Sequence, residues 1–178
     1  LSVLDADILG RPAVVSNLDD PRPLAGGALT CPFFILGDTP PQAAAFVVSN
    51  HITQTIFSKE QADALSAAAS NLGITVKVHV KVDTGMTRIG VRPEEAAAFC
   101  SYVAGLENVH LEGMFTHFAS SDSADHAYCL EQFGRFTAAI AAVEASGIRL
   151  GIRHCANSAA ILSVPDGLHS NTQAGRFL

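Results

Sequence analysis

Charge is scarce in this chain. Only 16% of its residues are charged, against 48% hydrophobic, which excludes a disordered or heavily solvated polymer. Basic residues are scarcer still: 11 Lys and Arg face 17 Asp and Glu, for a formal charge of −6. Nothing here could neutralise a polyphosphate backbone, which argues against nucleic acid as a partner. Long apolar runs are also missing. Glycines or charges interrupt each one before the roughly 18 residues a membrane span needs. The four cysteines, Cys31, Cys100, Cys129 and Cys155, are scattered and form no CxxC pair. That pattern excludes a secreted disulfide framework and any local zinc signature, and reduced thiols in a cytoplasm are expected.

What is present is a repeating unit. The 178 residues suit one domain, and from Phe33 onward short β-like runs alternate with amphipathic helical stretches, the pattern of βα units on a parallel sheet. Strands are predicted at 33–36, 52–57, 74–84, 109–117 and 150–155, with a weaker one at 171–178. Thr39 is expected to cap a helix opening at Pro40 or Pro41. Ser58 and Gln61 have capping-box spacing ahead of a helix that turns Ala62, Leu65, Ala69 and Leu72 inward and stops at Gly73. Pro93 opens a helix burying Ala96, Phe99, Val103 and Leu106. A longer helix carries Leu130, Phe133, Phe136, Ile140 and Val143 inward and ends at Gly147.

The segment 74–84 decides the architecture. Val76, Val78, Val80 and Val82 alternate strictly with Lys77, His79, Lys81 and Asp83, yet strands of a parallel sheet are covered on both faces. A barrel lumen accommodates the polar row. No GxGxxG or GxxxxGK[ST] loop follows any predicted strand, which disfavours a nucleotide fold. A complete (β/α)8 barrel takes about 250 residues. The expectation is therefore an α/β chain forming an incomplete TIM-type (β/α)8 barrel, with about six parallel strands and outer helices. Residues 1–32, rich in Gly, Pro and Asp, are the least readable.

In such a barrel the working residues sit at the C-terminal ends of the strands. Lys81, Asp83 and Arg88 lie at one exit and His117 at the next. His154, Asn157 and Ser158 follow at a strand end running into a helix N-terminus, where free amides favour an anion such as phosphate. Each has a plain structural reading. A strand-end histidine is often just hydrogen-bonded, Asn-Ser before an apolar run is usually a cap, and Lys81 with Asp83 could be an ion pair. Three successive strand ends make coincidence a weaker account.

The runs KVDTGMTRIGV at 81–91, LEGMFTHFASSD at 111–122 and HCANSAAIL at 154–162 closely resemble the alanine racemase family in order and spacing. ILGDTPP at 35–41 and ITQTIFS at 52–58 resemble further pieces of it. The resemblance implies a pyridoxal-phosphate barrel that interconverts L- and D-alanine for cell-wall precursor supply, with a separate β domain completing the site across a homodimer. By position, His117 resembles the histidine packed on the pyridine ring. Ser158, with backbone amides near Gly175 and Arg176, resembles the phosphate cradle. Arg88 resembles the arginine near the phenolic oxygen and the substrate carboxylate, with Asn157 close to the same oxygen. Lys81 matches a lysine carbamylated in some members, a modification that intact mass would detect. His154 resembles the histidine bonded to the residue at the pyridine nitrogen, and Gln173 occupies the slot where the family places an arginine.

The resemblance further implies a Schiff-base lysine and a tyrosine acting as opposed bases, and neither matches here. The three lysines, Lys59, Lys77 and Lys81, and the two tyrosines, Tyr102 and Tyr128, fall elsewhere. The chain, opening at Leu1-Ser2-Val3 and closing at Phe177-Leu178, is thus expected to be a partial barrel over 1–178. The lysine strand would lie upstream and the β domain downstream, leaving the fragment inactive alone. The substrate is a small amino acid, alanine or serine. Two other readings compete: a noncatalytic phosphate or pyridoxal-phosphate binding module, and a zinc hydrolase using His79, His117 and His154.

Overall fold

The computed structural model describes residues 13–15, 33–157 and 159–160. Strands β1 (Ala13–Val15), β2 (Phe33–Ile35), β3 (Thr53–Ile56), β4 (Val76–Lys81), β5 (Val109–Phe115) and β6 (Ile152–His154) form one sheet in sequence order. Every pairing is parallel. Helices α1 (Ala44–Ser49), α2 (Lys59–Leu72), α3 (Ala96–Ala104) and α4 (Ala127–Ala145) make the crossovers from β2 onward. Short 3-10 turns at Pro41–Ala43 and Pro93–Glu95 lead into α1 and α3. This is the expected partial (β/α) barrel of six strands, with one difference in which segments supply them. Strand β1 falls in the stretch hardest to read, while the strand predicted at 171–178 lies outside the described residues.

The sheet is curled, and ring contacts measure the curvature. Phe34 on β2 and His154 on β6 are four strands apart, a separation of about 19 Å in a flat sheet at roughly 4.8 Å per strand. Their ring centroids lie 5.7 Å apart. The concave face is therefore closed over by its own side chains. On the convex face Ile35, Ile56, Val78, Val80 and Met114 pack beneath the helices with Val47, Leu65, Val103, Phe136 and Val143. Alternation on β4 separates the two faces as predicted. The valines join the helix-covered core, whereas His79 and Lys81, 0% and 4% exposed, are buried on the other side.

Local signals explain most helix ends. Ser58 Oγ accepts from the Gln61 amide at 3.2 Å while Gln61 Oε1 accepts from the Ser58 amide at 3.2 Å, the reciprocal capping box. Gly73 closes α2 at φ +66°, a conformation a Cβ would penalise. Other expectations are corrected. Pro40, not Thr39, occupies the N-cap position, and Thr39 Oγ1 donates instead to buried Gln54 Oε1 at 2.9 Å. Leu72 and Leu130 are exposed. The buried face of α4 runs through Cys129, Gln132, Phe136, Ala139, Ile140 and Val143, one residue out of phase with Leu130. The α4 backbone ends at Ala145 with Ser146 as its C-cap, just before Gly147.

Candidate active site

The lumen is built in layers, as inward residues of a barrel must be. The ladder places Lys81, Phe115 and His154 side by side on β4, β5 and β6, with His79, Gly113 and Ile152 one level below. In the upper layer Phe115 and His154 stack at 4.6 Å and 4°, and Lys81 Nζ lies 4.5 Å above the Phe115 ring. In the lower layer His79 packs against Phe34 at 4.6 Å. The two layers are joined by a bond between His79 Nδ1 and His154 Nε2 at 3.1 Å. Spanning two strands is possible because Gly113, between them, carries no side chain.

Above these layers the three strand exits face the same mouth. The segment after β4 leaves and returns through a parallel bridge between Val82 and Val91, closed by Asp83 N–H to Val91 O at 2.8 Å and Val91 N–H to Lys81 O at 2.9 Å. Inside this loop the Asp83 carboxylate accepts from the amides of Gly85 and Thr87, each at 3.0 Å, an Asx turn. Gly90, at φ +131°, has the Asp83 amide 2.6 Å from where a Cβ would stand. Helix α4 braces the loop from outside. Arg135 Nη1 donates to Thr84 O at 2.8 Å and the Tyr128 hydroxyl donates to Gly85 O at 2.9 Å. Arg88, exposed on this loop, is thus carried by a fixed backbone.

A buried polar knot ties the exits of β4 and β5 together. Thr84 and Thr116 hydroxyls meet at 2.7 Å. Gln132, 0% exposed, donates to Thr84 Oγ1 and His117 O, both at 3.2 Å, and accepts from the Ala119 amide at 2.9 Å. Each polar atom of Gln132 has a partner, which is what makes a buried amide tolerable. Beyond β6, Asn157 Oδ1 accepts from Ser121 Oγ at 2.6 Å and from the Ala160 amide at 2.9 Å. This cap on the helical residues 159–160 leaves the Asn157 amide nitrogen as its donor end.

The electrostatics of the mouth are one-sided. Lys81 is lowered to about 7, first by burial and then by the Arg88 guanidinium, against a smaller opposing pull from Asp83. His117 is pushed down to about 4 by burial and by the charges of Lys81 and Arg88. His154 is driven well below its usual value by burial, His79 and Lys81. Arg88 thereby acts on both Lys81 and His117. The result is a pair of neutral histidines beside a partly neutral lysine and a permanent cation, a setting prepared for an anion.

These shifts fix a pH dependence. A histidine lowered to about 4 from 6.5 is neutral when folded but protonated when unfolded across that window. The unfolded chain binds more protons there, so stability falls as pH drops from 6.5 towards 4. Lowering of Glu112 to about 2 from 4.5 acts only below 4.5. Urea midpoints are therefore expected to fall already between 6.5 and 4.5, and His117→Phe is expected to shrink that early decline. A midpoint constant across the interval would contradict the buried neutral histidines.

Of the residues singled out from sequence, Lys81, Arg88 and His117 come together, with His154 below and Asn157 at the neighbouring exit. Ser158, Gln173, Gly175 and Arg176 lie outside the described residues. Lys59 sits at the start of α2 with its Nζ 4.7 Å over the Tyr102 ring, and Lys77 pairs with Glu112 at 2.7 Å. Among the described residues no group of three His, Cys, Asp or Glu is spaced to hold a metal; His79 and His154 bond each other. No described helix is long and apolar enough to cross a membrane. Reading the sequence missed Gln132, Tyr128, Arg135 and Glu112.

Known proteins share this sequence and fold. The family model for the N-terminal domain of alanine racemase matches residues 6–176. The chain belongs to the alanine racemase family. It is 85% identical to the alanine racemase of Desulfovibrio desulfuricans over 164 residues, covering 92% of this chain and 44% of that protein. It is 39% identical to the enzyme of Desulfosudis oleivorans over 170 residues, covering 90% and 44%. Among solved structures, the alanine racemase of Clostridium difficile 630 superposes with TM-score 0.81 at 37% identity, over 86% of this chain and 40% of that one. The alanine racemase of Bacillus anthracis with bound L-Ala-P gives TM-score 0.77 at 31% identity, over 86% and 40%. The chain therefore spans less than half the length of the alanine racemases it matches.

Proposed function

We propose that the protein carrying this chain is a pyridoxal-phosphate-dependent alanine racemase, interconverting L- and D-alanine, and that this partial barrel supplies the floor and the cationic side of its active site. The observation that carries the reading is the convergence of Lys81, Arg88 and His117 at the C-terminal mouth of the sheet. A related alanine racemase has been solved in complex with cycloserine, in keeping with an amino acid substrate. Supply of D-alanine for cell-wall precursors, a cytoplasmic setting and a homodimer belong to the same proposal.

The donor set fits the cofactor. A flat aromatic cofactor with a phenolic oxygen and a phosphate needs a ring surface, a cation and anion-binding amides. His117 is the neutral, half-buried ring at the mouth, Arg88 the cation, and the helical residues capped by Asn157 a source of amides; by resemblance alone, Ser158, Gly175 and Arg176 would complete the cradle. When bound, pyridoxal phosphate would supply the electron sink that eases removal of the proton from the substrate α-carbon. Arg88 would hold the substrate carboxylate through its planar fork, while His117 and the aromatic layer beneath exclude water from that face. Gln173, which matches by resemblance the family's residue at the pyridine nitrogen, would bring a hydrogen-bond donor without adding charge.

The lysine that would hold the cofactor is expected in another part of the protein. Lys59 and Lys77 are engaged on the outer and lower surfaces, and Lys81 lies in the lumen wall over Phe115. The test is racemisation in deuterated water. The whole protein is expected to convert L-alanine to D-alanine with deuterium at the α-carbon, whereas this chain alone gives no turnover. Absence of exchange in the whole protein, with cofactor bound, would leave the noncatalytic module as the better account. Serine in place of alanine decides between the two substrates.

A further inference from the structure

Beneath the site lies a line of polar groups that the reading above does not use. It begins at the surface with Lys77 Nζ, 2.7 Å from Glu112 Oε1. Glu112 Oε2 lies 3.3 Å from His79 Nε2, and His79 Nδ1 lies 3.1 Å from His154 Nε2. The line thus runs from a half-exposed lysine through a carboxylate into two buried imidazoles.

Its geometry is built by one irregularity and one absent side chain. On β4 and β5, Val78 pairs with Leu111 but His79 with Gly113, so Glu112 is the extra residue of a bulge. A bulge breaks the alternation of faces and re-aims a side chain. Glu112 is thereby turned to His79 rather than following the pleat. Gly113 then leaves the space through which His79 reaches His154: a Cβ there would stand 2.9 Å from His79 Cε1.

Direction follows from donor counting. An ionised carboxylate only accepts, and the contacts to His79 and Lys77 hold Glu112 at about 2, so it is ionised. His79 must therefore donate Nε2–H to it. With the His79 proton committed to Glu112 through Nε2, its Nδ1 offers a lone pair 3.1 Å from His154 Nε2, and His154, itself kept neutral, can donate Nε2–H into it. The remaining nitrogen of His154, Nδ1, is left as an acceptor.

We propose that Glu112 is a positioning residue which, acting through His79, fixes His154 as its Nε2–H tautomer, so that His154 presents Nδ1 as an acceptor and requires a donor from the residue it orients beneath the cofactor. The tautomer follows from this chain's contacts alone; its purpose at the cofactor rests on the racemase reading. A group held this way faces the cofactor with its own donor or acceptor already committed, which sets the polarity presented to the ring nitrogen without adding charge.

The experiment is nitrogen-15 NMR of the whole protein labelled at histidine, with and without cofactor. Both His79 and His154 are expected to show a protonated Nε2 and a pyridine-type Nδ1. Glu112→Gln, whose amide can donate as well as accept, is expected to lose the single tautomer at both rings, and Glu112→Asp to retain it in part. An Nδ1–H form of His154 in the wild-type protein, an imidazolium at His79, or tautomers unmoved by Glu112→Gln would each overturn the proposal. The wild-type spectrum decides even if the variants fail to fold. A fixed tautomer in a protein without racemase turnover would keep this inference and remove the functional one.

Discussion

Gly113→Ala is expected to destabilise the barrel and to separate the His79–His154 pair. A Cβ at this position would stand 2.5 Å from Ile152 O, 2.9 Å from His79 Cε1 and 3.0 Å from Ile152 Cβ. The first contact is with the backbone of the paired strand β6 and cannot be relieved by a rotamer change. Overpacking of this kind costs about 1–3 kcal/mol, and orphaning a buried ring nitrogen costs about 1–3 kcal/mol more. Against this, alanine restricts the unfolded chain and returns only about 0.4–1 kcal/mol, so loss wins. Urea unfolding measures the sum, and histidine NMR shows whether the bond between the rings has gone. His79→Ala in the same background frees the 2.9 Å contact but not the 2.5 Å one. The double variant is therefore expected to stay destabilised. A Gly113→Ala protein with an unchanged midpoint and an intact histidine pair would show that the sheet yields more easily than this packing implies.

The same lumen marks where sequence reading succeeds and where it stops. The alternation of Val76 to Val82 with Lys77 to Asp83 announces a strand buried on both faces, because periodicity is a property of the chain alone. The Ser58–Gln61 box and the Gly73 stop are equally local, and both are found as expected. Strand β1, three residues long, lies within the Gly-, Pro- and Asp-rich residues 1–32, where no neighbouring helical pattern frames it as a βα unit. Glu112 is hidden because a bulge interrupts the very alternation used to read β5. Gln132 escapes for another reason: helix α4 has enough apolar residues for two adjacent phases, and choosing Leu130 rather than Cys129 rotates the face away from Gln132. Tyr128 and Arg135 act on a loop 43 and 51 residues earlier in the chain, a relation no local pattern contains. The motif-bearing residues were legible; the groups that hold them in place were not.

Arg88 is where charge and geometry can be pulled apart. Its guanidinium lowers both Lys81 and His117, so Arg88→Ala is expected to let His117 titrate above about 4 and Lys81 above about 7. The direction follows because a positive neighbour disfavours each protonated form, and its removal relieves that penalty. If the racemase reading holds, the same variant also loses the donor fork for the carboxylate, with an expected fall in kcat/KM of about 10²- to 10³-fold, the scale for removing one preorganised donor. Arg88→Lys separates the two effects. A lysine keeps a positive charge on the braced loop, so His117 and Lys81 are expected to titrate near their wild-type positions. It cannot reproduce a planar bidentate contact, so most of the rate loss is expected to remain. Titration of His117 by NMR and racemisation kinetics on the same two proteins give four readings. Unmoved His117 titration in Arg88→Ala would place the guanidinium away from the mouth, whereas full activity in Arg88→Lys would mean that charge alone suffices and that the fork has no part in holding the carboxylate.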